Sequence, residues 1–456
     1  MAGPPTCTSL GKGDIIGPEQ VETNRQRPAR EAREVSEKKN SYSQVIEVRG
    51  HIIDSHILPK ILDEVLDSEC EFNIEEVRIG RARGDPSYAR LEILAPTPEA
   101  LDAIVHRLRQ FGAQPLHPGE VRLEPAPADG AFPLDFYSTT NLPTAIRLGG
   151  HIIEVADTEM DCGIVVEGGR ARCIPVSEVK QGQMIVVGHA GITVRPLERP
   201  RRPSPTFAFM SSSVSSEKPR TALVHDIARE MRQIKREGGK ILVVAGPAVV
   251  HTGSGDLLVK LIAAGYVDFL FAGNALPTHD IEAAFYGTAL GVSLTEGLPL
   301  ERGHEHHLRA INRIRLEGGI AAAVRKGVLT KGIMHACVTH GVDFVLCGSI
   351  RDDGPLPEVI TDVIECQQAM RARIRRGVRM ALMLSTMLHS IAVGNLLPAD
   401  VTTVCVDINP AVATKLADRG TFQSLGLVMD VGSFLRELLE HLAEPATSEA
   451  AGSEEA

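Results

Sequence analysis

Six short apolar runs, KILVVAG, VDFLFAG, VDFVLCG, RMALMLST, TTVCVDI and LGLVMDV, each give way to small or polar residues. Those residues are Gly246-Pro247, Gly273-Asn274-Ala275, Gly348 to Gly354, Ser385-Thr386-Met387-Leu388-His389, Asp407-Ile408-Asn409 and Asp430-Val431-Gly432. Runs of this length, rich in Val, Leu and Phe, suit strands buried on both faces of a parallel sheet. Such sheets bind ligands just outside the carboxyl ends of their strands. One polar tip means little, because any connection to a helix needs small residues. A whole row of them suggests a crevice for a ligand that carries phosphates and hydroxyls.

Each tip has a chemical reading and a plainer one. Asp407, at the end of VCVDIN, could accept both hydroxyls of a ribose. Equally, Asn409-Pro410 could simply start a helix beside it. Asp430, before Val431, has the same two readings. Ser385 to Ser390 offers hydroxyls and consecutive N–H donors for a phosphate, or a tight turn around a buried His389. No G-x-G-x-x-G follows any strand, since AGPAVVHTGSG carries Pro and Val where backbone must approach closely. In CGSIRDDGPLP, Arg351 could clamp a carboxylate while Asp352 or Asp353 takes an amine or hydroxyl. Otherwise the three form a self-satisfied turn before a helix near Pro355. His251 and His389 lie beside the crevice, where either could act as a general base or as an ordinary hydrogen-bonded side chain. His304, His306 and His307 crowd one helix start, but without zinc spacing, so no metal site is expected. Cys162 reads as structural.

These tips need a scaffold. Residues 201–443 alternate apolar runs with helical segments and predict a doubly wound α/β domain of Rossmann-like type. Before it, residues 43–118 run β-α-β-β-α-β, the ferredoxin-like plan, which serves sensing or dimerisation. Residues 119–200 read as a small all-β subdomain of short alternating strands ending in the linker RPLERPRRPSPT. Residues 1–42 and 444–456 read as a disordered leader and tail.

Composition narrows the function. The chain has 456 residues, 48 basic and 58 acidic side chains and a formal net charge of −10. With no block of five like charges and no Trp, no nucleic-acid partner is expected. No apolar stretch approaches the ~18 residues needed to span a membrane, and no signal peptide is visible. The eight cysteines include no C-x-x-C pair, so reduced thiols in a cytoplasmic protein are expected.

The runs FYSTTNLPTAIRLGGHIIEV, MDCGIVV, FMSSSVSSEKPR, VVAGPAVVHTG, FAGNALPTHDIE, GSIRDDGPLPEVITDV, MLHSIAVGN and VCVDINPAVATKLADRGT resemble the archaeal-type ornithine cyclodeaminase family. That group is also known as the conserved region of lysine-ketoglutarate reductase/saccharopine dehydrogenase bifunctional enzymes. It forms the C-terminal part of cyanobacterial arginine dihydrolase/ornithine cyclodeaminase proteins as well. The resemblance spans about residues 43–443, with small departures in HIIEV and LPTHD and a Cys at 347 where Ala is common. Arginine dihydrolase activity is not implied, because the amidinotransferase-like domain of the cyanobacterial proteins has no counterpart upstream.

The resemblance implies conversion of L-ornithine to L-proline and ammonia, with NAD as a cofactor that is not consumed. Carried onto this sequence, the nucleotide would touch Asn274, Ala275, Asp353, Ser385, Thr386, Met387, Leu388, His389, Asp407, Ile408, Asp430 and Val431. The reaction needs a base, for which Asp352 or His389 is the candidate, and a cation for the substrate carboxylate, for which Arg351 is. A net NAD(P)-dependent amino-acid dehydrogenase and a non-enzymatic NAD or amino-acid sensor remain the alternatives. A homo-oligomer is expected from the ferredoxin-like module and from the prevalence of symmetric assemblies.

Overall fold

The structure, a computed structural model, describes residues 42–443 except 54, 69, 82–84, 110, 117–118, 196–219, 299, 301–302, 353, 413–414 and 416–423. The expected leader (but for Tyr42), the tail, much of the linker and Asp353 lie outside the described residues.

The first unit is a four-stranded sheet in the spatial order Glu71–Arg78, Ser87–Ala95, Tyr42–Gly50, Gln114–Pro115. Its helices are Ile57–Leu66 and Pro98–Arg109, so the chain follows the expected β-α-β-β-α-β order. SYARLEILA alternates strictly. Ala89, Leu91, Ile93 and Ala95 join the core with the helices, while Tyr88, Arg90 and Glu92 lie on the other face. Pro98 opens the second helix, where Thr97 Oγ1 accepts the Ala100 N–H at 3.1 Å.

The second unit is a seven-stranded sheet in the order Ile192–Val194, Thr144–Leu148, His151–Ala156, Arg170–Ile174, Gly163–Glu167, Met184–Val187, Arg122–Pro125. Neighbours are antiparallel except for His151–Ala156 with Arg170–Ile174. Two of its loops are joined to the third unit. Glu159 and Arg371, both nearly inaccessible to solvent, form a two-oxygen contact at 2.9 and 3.0 Å, and the Ala399 N–H donates to the Asn141 carbonyl at 2.9 Å.

The third unit is an all-parallel seven-stranded sheet ordered Val359–Ile360, Asp343–Cys347, Phe269–Gly273, Lys240–Ala245, Val378–Leu384, Thr402–Asp407, Ser424–Val428. The strand order reverses between Lys240–Ala245 and Val378–Leu384. Alternate residues of one strand enter two cores. Ile241, Val243 and Ala245 pack with the helices Arg220–Arg236, Gly255–Ala263 and Val431–Ala443. Leu242 and Val244 pack with Val363–Ile374 and Leu388–Leu396. This two-sided burial explains why the strands read as continuous apolar runs.

Two expectations are corrected here. The segment after Pro355 does not enter a helix at once: Val359–Ile360 adds an edge strand, and the helix starts at Val363, where Asp362 caps the Ile364 and Glu365 N–H groups. The thiols are not all reduced: Cys347 and Cys366 form a disulfide across a sequence separation of 19, with Cα atoms 5.9 Å apart. The strand end and the helix bring them into bridging range, which their spacing in the sequence does not reveal.

Candidate functional site

The six tips line one edge of the parallel sheet and are stitched to one another by backbone. Gly246 N–H donates to the Leu384 carbonyl, Ser385 N–H to Val406 and Asn274 N–H to Cys347, at 2.9, 2.9 and 3.2 Å. At the point where strand order reverses, the two central tips nearly touch. A Cβ on Gly246 would stand 2.1 Å from the Ser385 carbonyl oxygen. Ser385 itself has a φ of 50°, a conformation unusual for a residue with a side chain. The chain therefore turns sharply at Ser385 and enters the helix Leu388–Leu396 directly.

The first turn of that helix has no side-chain cap. The first turn of a helix leaves its N–H groups without an intrahelical partner, and this one begins beside the half-buried Ser385 and Thr386. Met387 and Leu388 are exposed, and His389 folds back under the sheet edge so that a Cβ on Gly273 would lie 2.8 Å from its Cε1. Burial holds the His389 imidazole below its ordinary range, against the pull of the Asp352 carboxylate.

Asp352 is held in place. Its Oδ1 accepts from Asn274 Nδ2 at 3.3 Å and its Oδ2 from the Ser349 N–H at 2.7 Å. Asn274 in turn accepts the Leu356 N–H at 3.1 Å through Oδ1. Ala275 is the first residue of the helix Ala275–Tyr286. Arg351 is exposed and has no ion-pair partner among the described residues. Ser349 and Asp352 are satisfied within their own turn, where the Arg351 N–H also donates to Ser349 Oγ at 3.2 Å, and Asp353 lies outside the described residues.

On the far side, Asp407 ends its strand with Oδ1 accepting the Asn409 N–H at 2.8 Å, and among the described residues Oδ2 has no partner. Ile408 is exposed next to it. Asp430 accepts the Ser433 N–H at 2.8 Å and its hydroxyl at 3.1 Å, which makes it the cap of Val431–Ala443, with Val431 buried. For Asp430 the plainer reading is realised, at one oxygen.

Sequence reasoning missed a polar cluster behind the tips. His279 Nδ1 meets Glu282 Oε2 at 2.9 Å, and Glu282 Oε1 accepts from Thr288 Oγ1 and the Gly291 N–H at 2.9 and 2.8 Å. Thr288 Oγ1 also meets His306 Nδ1 at 2.9 Å, and the His251 ring lies 4.8 Å from that of His279. Glu282 is completely buried, yet these donors outweigh the cost of burial and keep its carboxyl below the usual range. Asp280, also buried, accepts the N–H groups of Ile333 and Met334 at 2.7 and 2.8 Å and so caps a helix from another element. The signal was PTHDIE: four polar side chains within a helix that is otherwise apolar. Cys162 is buried and donates to Glu159 Oε1 at 3.1 Å, and burial pushes its thiol well up, as suits a structural residue. Among the described residues no three His, Cys, Asp or Glu side chains are grouped to hold a metal ion.

Comparison with known proteins identifies related chains over residues 43–438. Residues 225–438 match the family described as arginine dihydrolase ArgZ-like, C-terminal, Rossmann fold. Residues 143–224 match its C-terminal first region, and residues 43–142 match the LOR/SDH bifunctional enzyme conserved region. The ornithine cyclodeaminase of Methanopyrus kandleri is 53% identical over 409 residues, covering 89% of this chain and 99% of that protein. The bifunctional arginine dihydrolase/ornithine cyclodeaminase ArgZ of Synechocystis is 42% identical over 88% of this chain and 58% of its own length. Among solved structures, apo ArgZ, a cyanobacterial arginine dihydrolase, superposes with a TM-score of 0.76 at 39% identity, over 88% of this chain and 58% of ArgZ. A LOR/SDH protein from Methanococcus maripaludis gives 0.66 at 48% identity, over 71% and 98% respectively.

Proposed function

The chain belongs to the ornithine cyclodeaminase family, and from that premise we propose that it binds NAD along the sheet edge and converts L-ornithine to L-proline and ammonia. The observation that carries the nucleotide reading is the unit from Val378 to Asp407. It is a strand, a tight turn, a helix with an uncapped first turn and a second strand ending in a carboxylate. Asp407 follows Ser385 by 22 positions, close to the ~20 that separate phosphate turn and ribose carboxylate in dinucleotide-binding sheets. Glycines are absent from the turn because Ser385 supplies the positive φ and Gly246, just past the end of the neighbouring strand, supplies the space.

The residues fit the cofactor. Ser385, Thr386, Met387, Leu388 and His389 would cradle its phosphates on N–H groups at the helix start. Asp407 would take a ribose diol through Oδ2, with Ile408 against the base, and Asp430 and Val431 would close that end. Asn274, Ala275 and Asp353 would hold the nicotinamide half. NAD bound there supplies a reversible hydride acceptor.

The chain's own residues must bind the substrate carboxylate, remove protons from the ammonium groups and keep water away. Arg351, exposed at the crevice and without an ion-pair partner among the described residues, is suited to the carboxylate. Of the two candidate bases, His389 is favoured. Both Asp352 oxygens already accept hydrogen bonds, whereas burial leaves the His389 imidazole neutral and able to take a proton. Asp352 then orients the site and steadies the imidazolium. Ring closure joins two ends of one molecule, so holding ornithine in a bent conformation supplies much of the rate. No described helix is long and apolar enough to cross a membrane, and we place the enzyme in the cytoplasm.

The test is incubation of purified protein with L-ornithine and substoichiometric NAD. Equal yields of proline and ammonia, with many turnovers per NAD, are expected. A steady rise of absorbance at ~340 nm, the signature of net hydride transfer to the cofactor, would point to a dehydrogenase instead. NAD binding without any product would remove ornithine as the substrate.

A further inference from the structure

Closing the ring of ornithine moves more protons than one base handles. His389 serves the α-ammonium, but the side-chain ammonium must also be stripped before it becomes a nucleophile, and the departing amino group must receive a proton. The cluster around Glu282 holds a second imidazole. His279 lies one helical turn beyond Ala275, on the helix that starts at the Gly273 tip. In that first turn Thr278 Oγ1 donates to Asn274 Oδ1 at 3.4 Å, the same Asn274 that holds Asp352. His251 ends the short helix Ala248–His251 after the neighbouring tip, Gly246, and its ring stands 4.8 Å from that of His279. The helix of His279 packs into one core of the sheet through Leu276 and Ile281, and the helix of His389 into the other through Val393 and Leu396. The helices carrying the two imidazoles therefore flank the end of the Gly273 strand from opposite faces of the sheet.

Hydrogen bonds fix the tautomer of the neutral His279 ring. Glu282 accepts the N–H groups of Leu290 and Gly291 at 3.2 and 2.8 Å and the Thr288 hydroxyl at 2.9 Å, donors that hold it as a carboxylate. A carboxylate only accepts, so His279 Nδ1 carries the hydrogen and Nε2 the lone pair. That Nε2 has no partner among the described residues, and unlike Nε2 of His251 it is not sealed from solvent. A fully buried carboxylate behind an imidazole orients the ring and steadies its protonated form.

Resting on the ornithine cyclodeaminase reading, we propose that His279 is a second catalytic base, whose Nε2 takes a proton from the side-chain ammonium of ornithine, with Glu282 as its positioning residue. Two protons leave the side-chain nitrogen. The first frees the lone pair that forms the new N–C bond to the oxidised α-carbon, and the second is lost as that bond becomes the C=N bond of the ring. One of them passes to the α-amino nitrogen, which leaves as ammonia when the old C–N bond breaks, and the other goes to solvent. No electrons change hands in this stage, because the hydride has already been removed and returns only afterwards.

The test is His279→Asn, whose amide keeps a donor for Glu282 and removes Nε2. The variant should bind NAD in calorimetry with unchanged affinity. On mixing with L-ornithine it should reduce its bound cofactor once, an absorbance rise at ~340 nm of about one equivalent per site that then stops. Proline should form about a hundredfold more slowly or worse. His389→Gln should instead abolish the rise. A second readout uses the wild type and so is independent of how the variant folds: diethyl pyrocarbonate should label His279 in the NAD-loaded enzyme, and saturating L-ornithine should suppress that labelling. Proline formation by His279→Asn at the wild-type rate, absence of the single rise in that variant, or labelling indifferent to ornithine would each overturn this assignment while the wild type still makes proline. A wild type that makes no proline would overturn it together with the reading beneath it.

Discussion

Gly246 and Ser385 immediately follow two adjacent central strands, with no room between them for a methyl group: a Cβ on Gly246 would lie 2.1 Å from the Ser385 carbonyl oxygen and 3.0 Å from the Thr386 Cβ. The atoms in the way are mostly backbone, so no rotamer change can relieve the clash. Gly246→Ala must push the Ser385 turn off its strand end. We expect a loss of about 1–3 kcal/mol of stability, as for overpacking elsewhere, and a larger proportional loss of NAD affinity, measured by calorimetry. Gly253→Ala is the control: its Cβ meets nothing within 4 Å, although its positive φ adds backbone strain. Equal NAD affinity in both variants would show that the turn plays no part in nucleotide binding.

The His389 assignment predicts a pH profile. Burial holds the imidazole below 6.5, so the base is lost only as pH falls through that lower value, and kcat/KM should show an acidic limb below pH 6.5. The Asp352 carboxylate acts the other way, raising the imidazole. Asp352→Asn should therefore move the limb to still lower pH while lowering the plateau. His389→Gln should reduce kcat by about a hundredfold or more and abolish the limb. Full turnover by His389→Gln would return Asp352 to candidacy, and full turnover by Asp352→Asn would remove it.

Much of this arrangement was legible in the sequence, and the reasons are physical. Strands buried on both faces announce themselves as apolar runs, so the parallel sheet and its row of tips could be read directly. The alternation of SYARLEILA gave the half-buried sheet for the same reason. Other features depend on packing between distant segments. Val359–Ile360 is too short for a pattern, Cys347 and Cys366 meet only because a strand end lies against a helix, and the role of Glu282 requires Thr288 and Gly291 to fold back over it. The helix Arg220–Arg236 passed unnoticed because charge dominates its sequence and only one face, which includes Leu223, Val224, Ile227, Glu230, Met231 and Ile234, is buried. The absence of G-x-G-x-x-G counted against a Rossmann reading, although the space that glycines provide is supplied across strands by Gly246.

Glu230 links pH to stability. It is 3% exposed, its Oε1 accepts from Thr402 Oγ1, and its Oε2 has no partner among the described residues. Burial pushes its carboxyl up to about 7 from 4.5, despite the Thr402 bond and the charges of Arg229 and Arg379. The folded chain therefore holds a proton that the unfolded chain has released. Its contribution is fully present below pH 4.5 and is lost as pH rises through about 7. Glu230→Gln keeps the bond to Thr402 and removes the charge. It should leave stability unchanged near pH 4.5 and raise it by on the order of 2 kcal/mol above pH 8, read from urea denaturation at both pH values. A pH-independent effect of the substitution would refute the assignment.

The contact between Glu159 and Arg371 ties the all-β unit to the helix Val363–Ile374, which also carries Cys366 and follows the loop that holds Asp352. Both side chains are less than 10% exposed, and Cys162 adds a third bond to the carboxylate. Removing one partner leaves a buried charge uncompensated, so Arg371→Met should cost about 3–5 kcal/mol. Removing both, with Glu159→Met added, should cost less than the single change, because no charge is then stranded. Glu159 and Arg371 lie on different units, and denaturation should distinguish a local role from a joint one. If the contact holds the units together, Arg371→Met will split a single unfolding transition into two, and the double variant will also unfold in two steps while recovering part of the stability. A single transition in both variants would confine the pair to local packing.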